Sequence, residues 1–308
     1  MQTKFHIAVA LVLSIILLLT TACLNSSAPT QTAPATAARE VTDDLGRRVK
    51  VPEKIERFVS LAPNLTENVF AVGAGERLVG VTTYCNFPAE AQKISKVGDT
   101  INPNLETILA LKPQLVLVST ASQIESFTRQ MEERGIAVFV LNPKDFEGVL
   151  QNLRLLGDLL GTQSNAEKLV SDLQARVSLV ENKISGEKPV RVFVQISREP
   201  LYTIGRASFL TDLIKRAGGE SITLEVPEAY PKISKEMVLA SQPEAVILSA
   251  DDAMGEGNST AADVLRDSPA VKDNRVYKIN GDLLTRPSPR LVDGLEEIAR
   301  ALHPQVFR

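Results

Sequence analysis

The chain has 308 residues, and its 34 Lys+Arg against 37 Asp+Glu exclude the basic excess of a nucleic-acid binder. A composition of 44% hydrophobic and 23% charged residues is that of a globular protein, long enough for two domains. Two Cys and two His, His6 and His303, are too few for a His-rich zinc site, a Cys cluster, a disulfide framework or a Ser-His-Asp triad with buried support.

The first segment reads as an export signal. Lys4 supplies a positive start, and residues 7–19, IAVALVLSIILLL, carry no charge. Thirteen residues fall short of the roughly 20 a membrane span needs, and suit the apolar region of a signal peptide. Thr20, Thr21 and Ala22 then precede Cys23. Small residues before a cysteine resemble a bacterial lipobox, although Thr20 stands where Leu is usual. The pattern predicts a signal over residues 1–22 and a lipid on Cys23; plain secretory cleavage nearby is the alternative. Residues 24–38, LNSSAPTQTAPATAA, have no charge and one large apolar residue, too little to bury a core. A tether of this length reaches about 20 Å on average. Residues 23–38 are therefore expected to hold an extracytoplasmic protein to a membrane, in a periplasm or on a cell surface.

From Glu40 onward strands and helices alternate. Residues 57–61, 78–82, 115–119 and 137–141 read as short apolar strands. Asn64 followed by Glu67 gives the spacing of a capping box and predicts a helix to about Val72, stopped by Gly73 and Gly75. Between Gly161 and Gly186, Ala166, Leu169, Val170, Leu173, Val177, Val180 and Ile184 recur at helical spacing. Ser164 or Asn165 is the expected start and Gly186 the expected end. About 21 helical residues would span roughly 32 Å, enough either to cross between lobes or to lie on one surface. Strands return at 190–196, 245–249 and 276–279, with a helix at 209–216 closed by Gly218 and Gly219.

The second half also repeats the first. Residues 106–119, ETILALKPQLVLVS, align without gaps on residues 236–249, EMVLASQPEAVILS, with six identities in fourteen positions. Each stretch reads as a helix, a turn with Pro and a buried strand, and the repeat supports two lobes of related fold. Glu106 follows Asn104, and Glu236 follows Ser234, by two positions, so each falls in the first turn of a capped helix. Two readings fit: favourable placement in the helix dipole, or a pair of acidic knobs that key a symmetric basic partner.

With these residues in view the chain resembles the ABC-importer substrate-binding proteins whose two lobes are bridged by a helix. The supporting stretches are FVSLAPNLTENVFAVGAGERLVGV from Phe58, GVTTYCNFPAEAQKI from Gly80, NPNLETILALKPQLVLV from Asn102, YPKISKEMVLASQPEAVIL from Tyr230 and RPSPRLVDGLEEIARAL from Arg286. Among them it is most similar to the cobalamin-binding proteins. The resemblance implies an α/β fold: two Rossmann-like lobes with mostly parallel central sheets, joined by one long rigid interlobe helix. It implies an N-terminal lobe over 39–160, a helix over 161–187 and a C-terminal lobe over 188–308. The implied function is capture of cobalamin or a related metal chelate between the lobes and delivery to transmembrane permease subunits. A ferric siderophore or haem is the alternative cargo, and no intrinsic cofactor, metal or catalytic residue is implied.

The resemblance assigns Glu106 and Glu236 to docking on the permease. It places Tyr84 and Tyr230 on the two walls of the cleft, where tyrosine offers an apolar face and a polar tip. Positions aligned with cleft tryptophans of cobalamin binders read Thr100, Ser119 and Leu283, so a more polar, less aromatic cleft is expected. Arg198, Arg206, Arg286 and Arg290 fall near strand ends of the second lobe, where open α/β sheets place ligands. Their guanidinium forks match carboxylate or phosphate groups. Asp282 either meets ligand or pairs with one of these arginines. Cys85, an unpaired thiol beside Tyr84, reads as a small, partly buried residue, with ligation of a metal centre as the alternative. A tethered envelope enzyme would have to work with carboxylates alone, and a zinc or manganese binder would lack its usual histidines.

Overall fold

The computed structural model describes residues 38–119, 124–249 and 265–307. They begin with an antiparallel hairpin, β1 (Ala38–Thr42) and β2 (Arg48–Pro52). Its turn is organised by the buried Asp43 carboxylate, which accepts from the Leu45 and Arg47 amides at 3.0 Å each and from the Arg47 guanidinium at 2.7 Å.

The first sheet contains β3 (Phe58–Ser60), β4 (Leu78–Val81), β5 (Ser95–Lys96), β6 (Leu115–Val118) and β7 (Ala137–Val140), all parallel, in the order β5-β4-β3-β6-β7. The helices between them are α1 (Pro63–Ala71), α2 (Leu105–Ala110) and α3 (Ile124–Glu132). The sequences LVLV and AVFV of β6 and β7 are buried at every position, as parallel strands covered on both faces must be. Two helices follow, α4 (Phe146–Leu160) and α5 (Gln163–Ile184). The second sheet holds β8 (Val190–Gln195), β9 (Gly219–Ser221), β10 (Ala245–Ser249) and β11 (Val276–Ile279), again parallel, in the order β11-β10-β8-β9. Its helices are α6 (Phe209–Arg216), α7 (Lys235–Ala240), α8 (Pro269–Lys272), α9 (Gly281–Thr285) and α10 (Leu291–Leu302).

The two sheets are wound alike. In each, the first strand lies inside, the second pairs on one side, and the strand of the repeated stretch, β6 or β10, pairs on the other. The repeated stretches occupy equivalent places, α2 to β6 and α7 to β10. They share a backbone feature that side-chain identity does not show. Lys112 has φ 49° and Gln242 has φ 44°, left-handed values at the same repeat position. In each copy this residue turns the chain from helix to Pro and strand. The next amide then donates at the start of the neighbouring first strand: Gln114 to the Arg57 carbonyl just before β3, and Glu244 to the Arg191 carbonyl in β8, both at 2.8 Å.

Two local expectations are corrected. The N-cap of α1 is Ala62, in extended conformation with no side-chain cap, and Pro63 opens the helix. Asn64 and Glu67 are buried within it, so no capping box forms. The long helix α5 starts after Thr162 rather than at Ser164 or Asn165, because Gly161, at φ 70°, closes α4 and hands the chain over directly. It ends at Ser185 rather than Gly186. Its 22 residues span about 33 Å. Ala166, Val170, Leu173, Val177, Val180 and Ile184 are buried and Leu169 is partly buried, so the apolar stripe is the packed face.

That stripe unites the core. One apolar cluster runs unbroken from Phe58, Leu117 and Phe139 of the first sheet, through Leu153 and the inner face of α5, to Val192, Ile247 and Leu295. Smaller clusters fill the opposite faces, with Val59, Ile108 and Val116 in one and Phe193, Val238 and Val246 in the other.

Candidate functional site

In both sheets the chain winds to either side of its first strand, which opens a crevice at the carboxyl ends of the strands. Three segments stand there: residues 82–88 after β4, 196–203 after β8 and 280–290 after β11.

The side chains that meet across the lobes form a polar clasp. Glu67 projects from α1 with its side chain 2% exposed. Its Oε1 accepts from Arg286 Nη1 at 2.8 Å and Arg290 Nη2 at 2.6 Å. Its Oε2 accepts from Ser288 Oγ at 2.6 Å and Arg290 Nε at 3.0 Å. Both oxygens are thus saturated, as a buried carboxylate requires. Asp282 Oδ1 pairs with Arg286 Nη2 at 2.6 Å, and Asn86 Oδ1 accepts from Arg286 Nη1 at 2.7 Å. The Arg290 guanidinium also lies 4.2 Å from the centre of the Phe87 ring. Its hydrogen bonds to Glu67, partly opposed by burial, hold its pKa above the usual guanidinium value. Glu67, Asn86 and Phe87 come from the first lobe; Asp282, Arg286, Ser288 and Arg290 come from the second.

The structure therefore gathers Asp282 and Arg286 into one cluster, in which Asp282 pairs with an arginine. Tyr84 precedes Asn86 by two residues and is 61% exposed. Tyr230, 43% exposed, rides on a segment zipped to residues 203–206: the Thr203 amide donates to the Pro231 carbonyl at 3.1 Å and the Gly205 amide to the Ala229 carbonyl at 3.0 Å. A Cβ on Gly205 would collide with the Glu228 carbonyl, so this approach requires glycine. Burial of the Tyr230 phenol raises its pKa, opposed by a hydrogen bond with Ser208. Arg198 and Arg206 are exposed. Leu283 is 8% exposed within the apolar core, so it does not supply a cleft wall. Cys85 is fully buried, with its sulfur 3.2 Å from both Thr66 Oγ1 and Thr82 Oγ1. Among the described residues no group of three or more His, Cys, Asp and Glu could hold a metal ion.

Glu106 and Glu236 are exposed in the first turns of α2 and α7. Asn104 caps the first helix by accepting from the Thr107 amide at 2.9 Å, and Ser234 the second from the Met237 amide at 3.2 Å. The Glu236 carboxyl is held below its ordinary pKa by its own amide, by Ser234 and by Lys235. Each helix begins at the carboxyl end of its sheet, so the two glutamates share that end with the crevice. Cys23 lies outside the described residues.

Sequence reading missed Glu67, Asn86 and Ser288. Pro63, Asn64, Phe70 and Ala71, the neighbours of Glu67 at helical spacing, include no cation, so nothing local pointed to the arginines that hold it.

A family model described as periplasmic binding protein matches residues 58–283. An uncharacterized ABC transporter substrate-binding lipoprotein of Bacillus subtilis is 30% identical over 275 residues, covering 87% of this chain and 86% of the relative. The crystal structure of the periplasmic vitamin B12 binding protein of Vibrio cholerae matches with a TM-score of 0.74 at 26% identity, covering 82% of this chain and 98% of that one. That of a periplasmic heme binding protein from Pseudomonas aeruginosa matches with a TM-score of 0.71 at 28% identity, covering 82% and 94%.

Proposed function

Since the chain belongs to the periplasmic binding protein family, we propose that it captures cobalamin or a related metal chelate in the crevice between its lobes. It works outside the cytoplasm as the substrate-binding component of an ABC importer, and delivers its cargo to the permease through Glu106 and Glu236. A lipid on Cys23 holds it to the membrane.

The observation that carries the cargo is the polar wall of Asn86, Asp282 and Arg286, contributed by both lobes at the carboxyl ends of the sheets. A corrin is large and apolar across its faces, and its rim carries neutral amides. Such a rim suits amide and paired ionic groups that offer donors and acceptors at fixed positions. Tyr84 and Tyr230 add two exposed aromatic rings, and Arg198 one exposed cation that makes no ion pair among the described residues. Similarity to a vitamin B12 binding protein over most of the chain supports the same cargo. Haem is the second reading, favoured by the 28% identity to a heme binding protein.

The test is capture by the untethered chain. It is mixed separately with cyanocobalamin, haem and a panel of ferric siderophores, then desalted, and the retained colour is read against protein. Cyanocobalamin retained at about one per chain is the expected result, within the single-pocket logic of such sites. Exclusive retention of haem or a siderophore would replace the cargo, and retention of none would remove the metal-chelate reading.

A further inference from the structure

Resting on the crevice as the ligand site, we infer that Glu67 sets the charge class of the cargo, by neutralising the arginines of the clasp so that the wall receives a neutral polar ligand.

The charges balance within the cluster. Arg286 and Arg290 bring two positive charges, and Glu67 and Asp282 bring two negative ones, all within direct ion-pair distance of one another. The four side chains are between 2% and 21% exposed, so solvent screens them weakly. Glu67 is the most buried and touches both arginines, while Asp282 stands at the more open edge. An anionic ligand approaching this wall finds arginines whose charges are already paired with Glu67 and Asp282. To engage them it must displace Glu67, which leaves a buried carboxylate without partners, or Asp282, which repels the ligand. A neutral ligand meets no such cost and finds Asn86 and Asp282 as hydrogen-bonding groups. Arg198 lies exposed in solvent on another loop and does not alter the balance within the clasp. Specificity here comes from a built-in repulsive element as much as from attraction.

The experiment compares two corrins of one shape: cyanocobalamin, and the derivative in which one rim amide is hydrolysed to a carboxylate. Affinities are measured for the wild-type chain, for Glu67→Gln and for Asp282→Asn, with folding checked by thermal melts. Asp282→Asn lies at the open edge and serves if Glu67→Gln fails to fold. The wild type is expected to prefer the amide by about tenfold or more, and each variant to lose most of that preference. An unchanged ratio in the folded variants would overturn the inference. A control separates it from the cargo assignment. Citrate, a small trianion, is added at constant ionic strength and the melting temperature is followed. A rise in the variants that the wild type lacks supports the neutralising role even where no corrin binds, whereas an equal response in all three chains overturns it. Failure of both corrins to bind the wild type counts against the proposed cargo alone.

Discussion

Glu67 shows at the scale of one residue why local reading went astray. The pattern Asn64-x-x-Glu67 has capping-box spacing, and local chemistry favours it. The partners that claim the carboxylate lie 219 to 223 residues away, beyond any window in which periodicity operates. Asp282 was more legible, because Arg286 follows it by four residues and α9 brings them together. A second carboxylate carries a pH prediction. Asp158 at the end of α4 pairs with Arg39 of β1 at 2.9 Å, and this hydrogen bond is the main cause that holds its pKa below the ordinary carboxylate value. A lowered folded pKa gives stability that is present above the unfolded pKa, near 3.9, and is lost as pH falls through the folded one. Asp158→Asn is therefore expected to be slightly less stable than wild type at pH 6, and the difference to shrink at an acid pH below the unfolded value. Urea midpoints at the two pH values measure it. A difference that persists in acid would locate the stabilisation elsewhere.

Elements were legible wherever periodicity and burial coincide. The stripe of α5 was readable because six of its seven apolar positions are buried against the core. Its start was not, because the left-handed Gly161 decides it and no side-chain cap forms. The repeat was visible as six identities, while its structural content, the left-handed Lys112 and Gln242, is a backbone property that neither residue type announces. The crossing of α4 and α5 depends on a residue whose role the sequence also conceals. A Cβ on Gly157 would meet the Ala166 Cβ at 2.5 Å, closer than side chains pack. Gly157→Val is expected to destabilise the chain by about 1–3 kcal/mol, the usual cost of overpacking a filled core. Chemical denaturation measures this, and an unchanged midpoint would mean that the helices can separate freely.

At the scale of the molecule, alternating strands and helices foretold two parallel sheets, and the sheets have that form. The clasp between lobes was illegible, since contacts between distant loops leave no periodic trace. The exposed glutamates at the common end of both sheets carry the remaining prediction. Glu106→Gln with Glu236→Gln is expected to leave ligand affinity unchanged, to lower the melting temperature only slightly through the lost charges at two helix N-termini, and to abolish uptake through the permease. Uptake by membrane vesicles given the loaded chain measures the effect, and full uptake with both carboxylates gone would remove the docking role. Each side chain is exposed, so neither substitution opens a cavity, and the groups that Glu236 leaves, its own amide and Ser234, lie where water reaches them.

The unbroken core along α5 has a consequence for traffic at the membrane. Two lobes that share one apolar interior cannot swing apart without exposing it, so a cargo in the crevice would change the outline of the protein little. On the proposed function, an empty carrier and a loaded one would then offer a permease nearly the same docking face and would compete for it. Delivery would be governed by the ratio of loaded to empty carrier, and an excess of empty carrier is expected to slow import. The work of prying the cargo loose would then fall to the transporter.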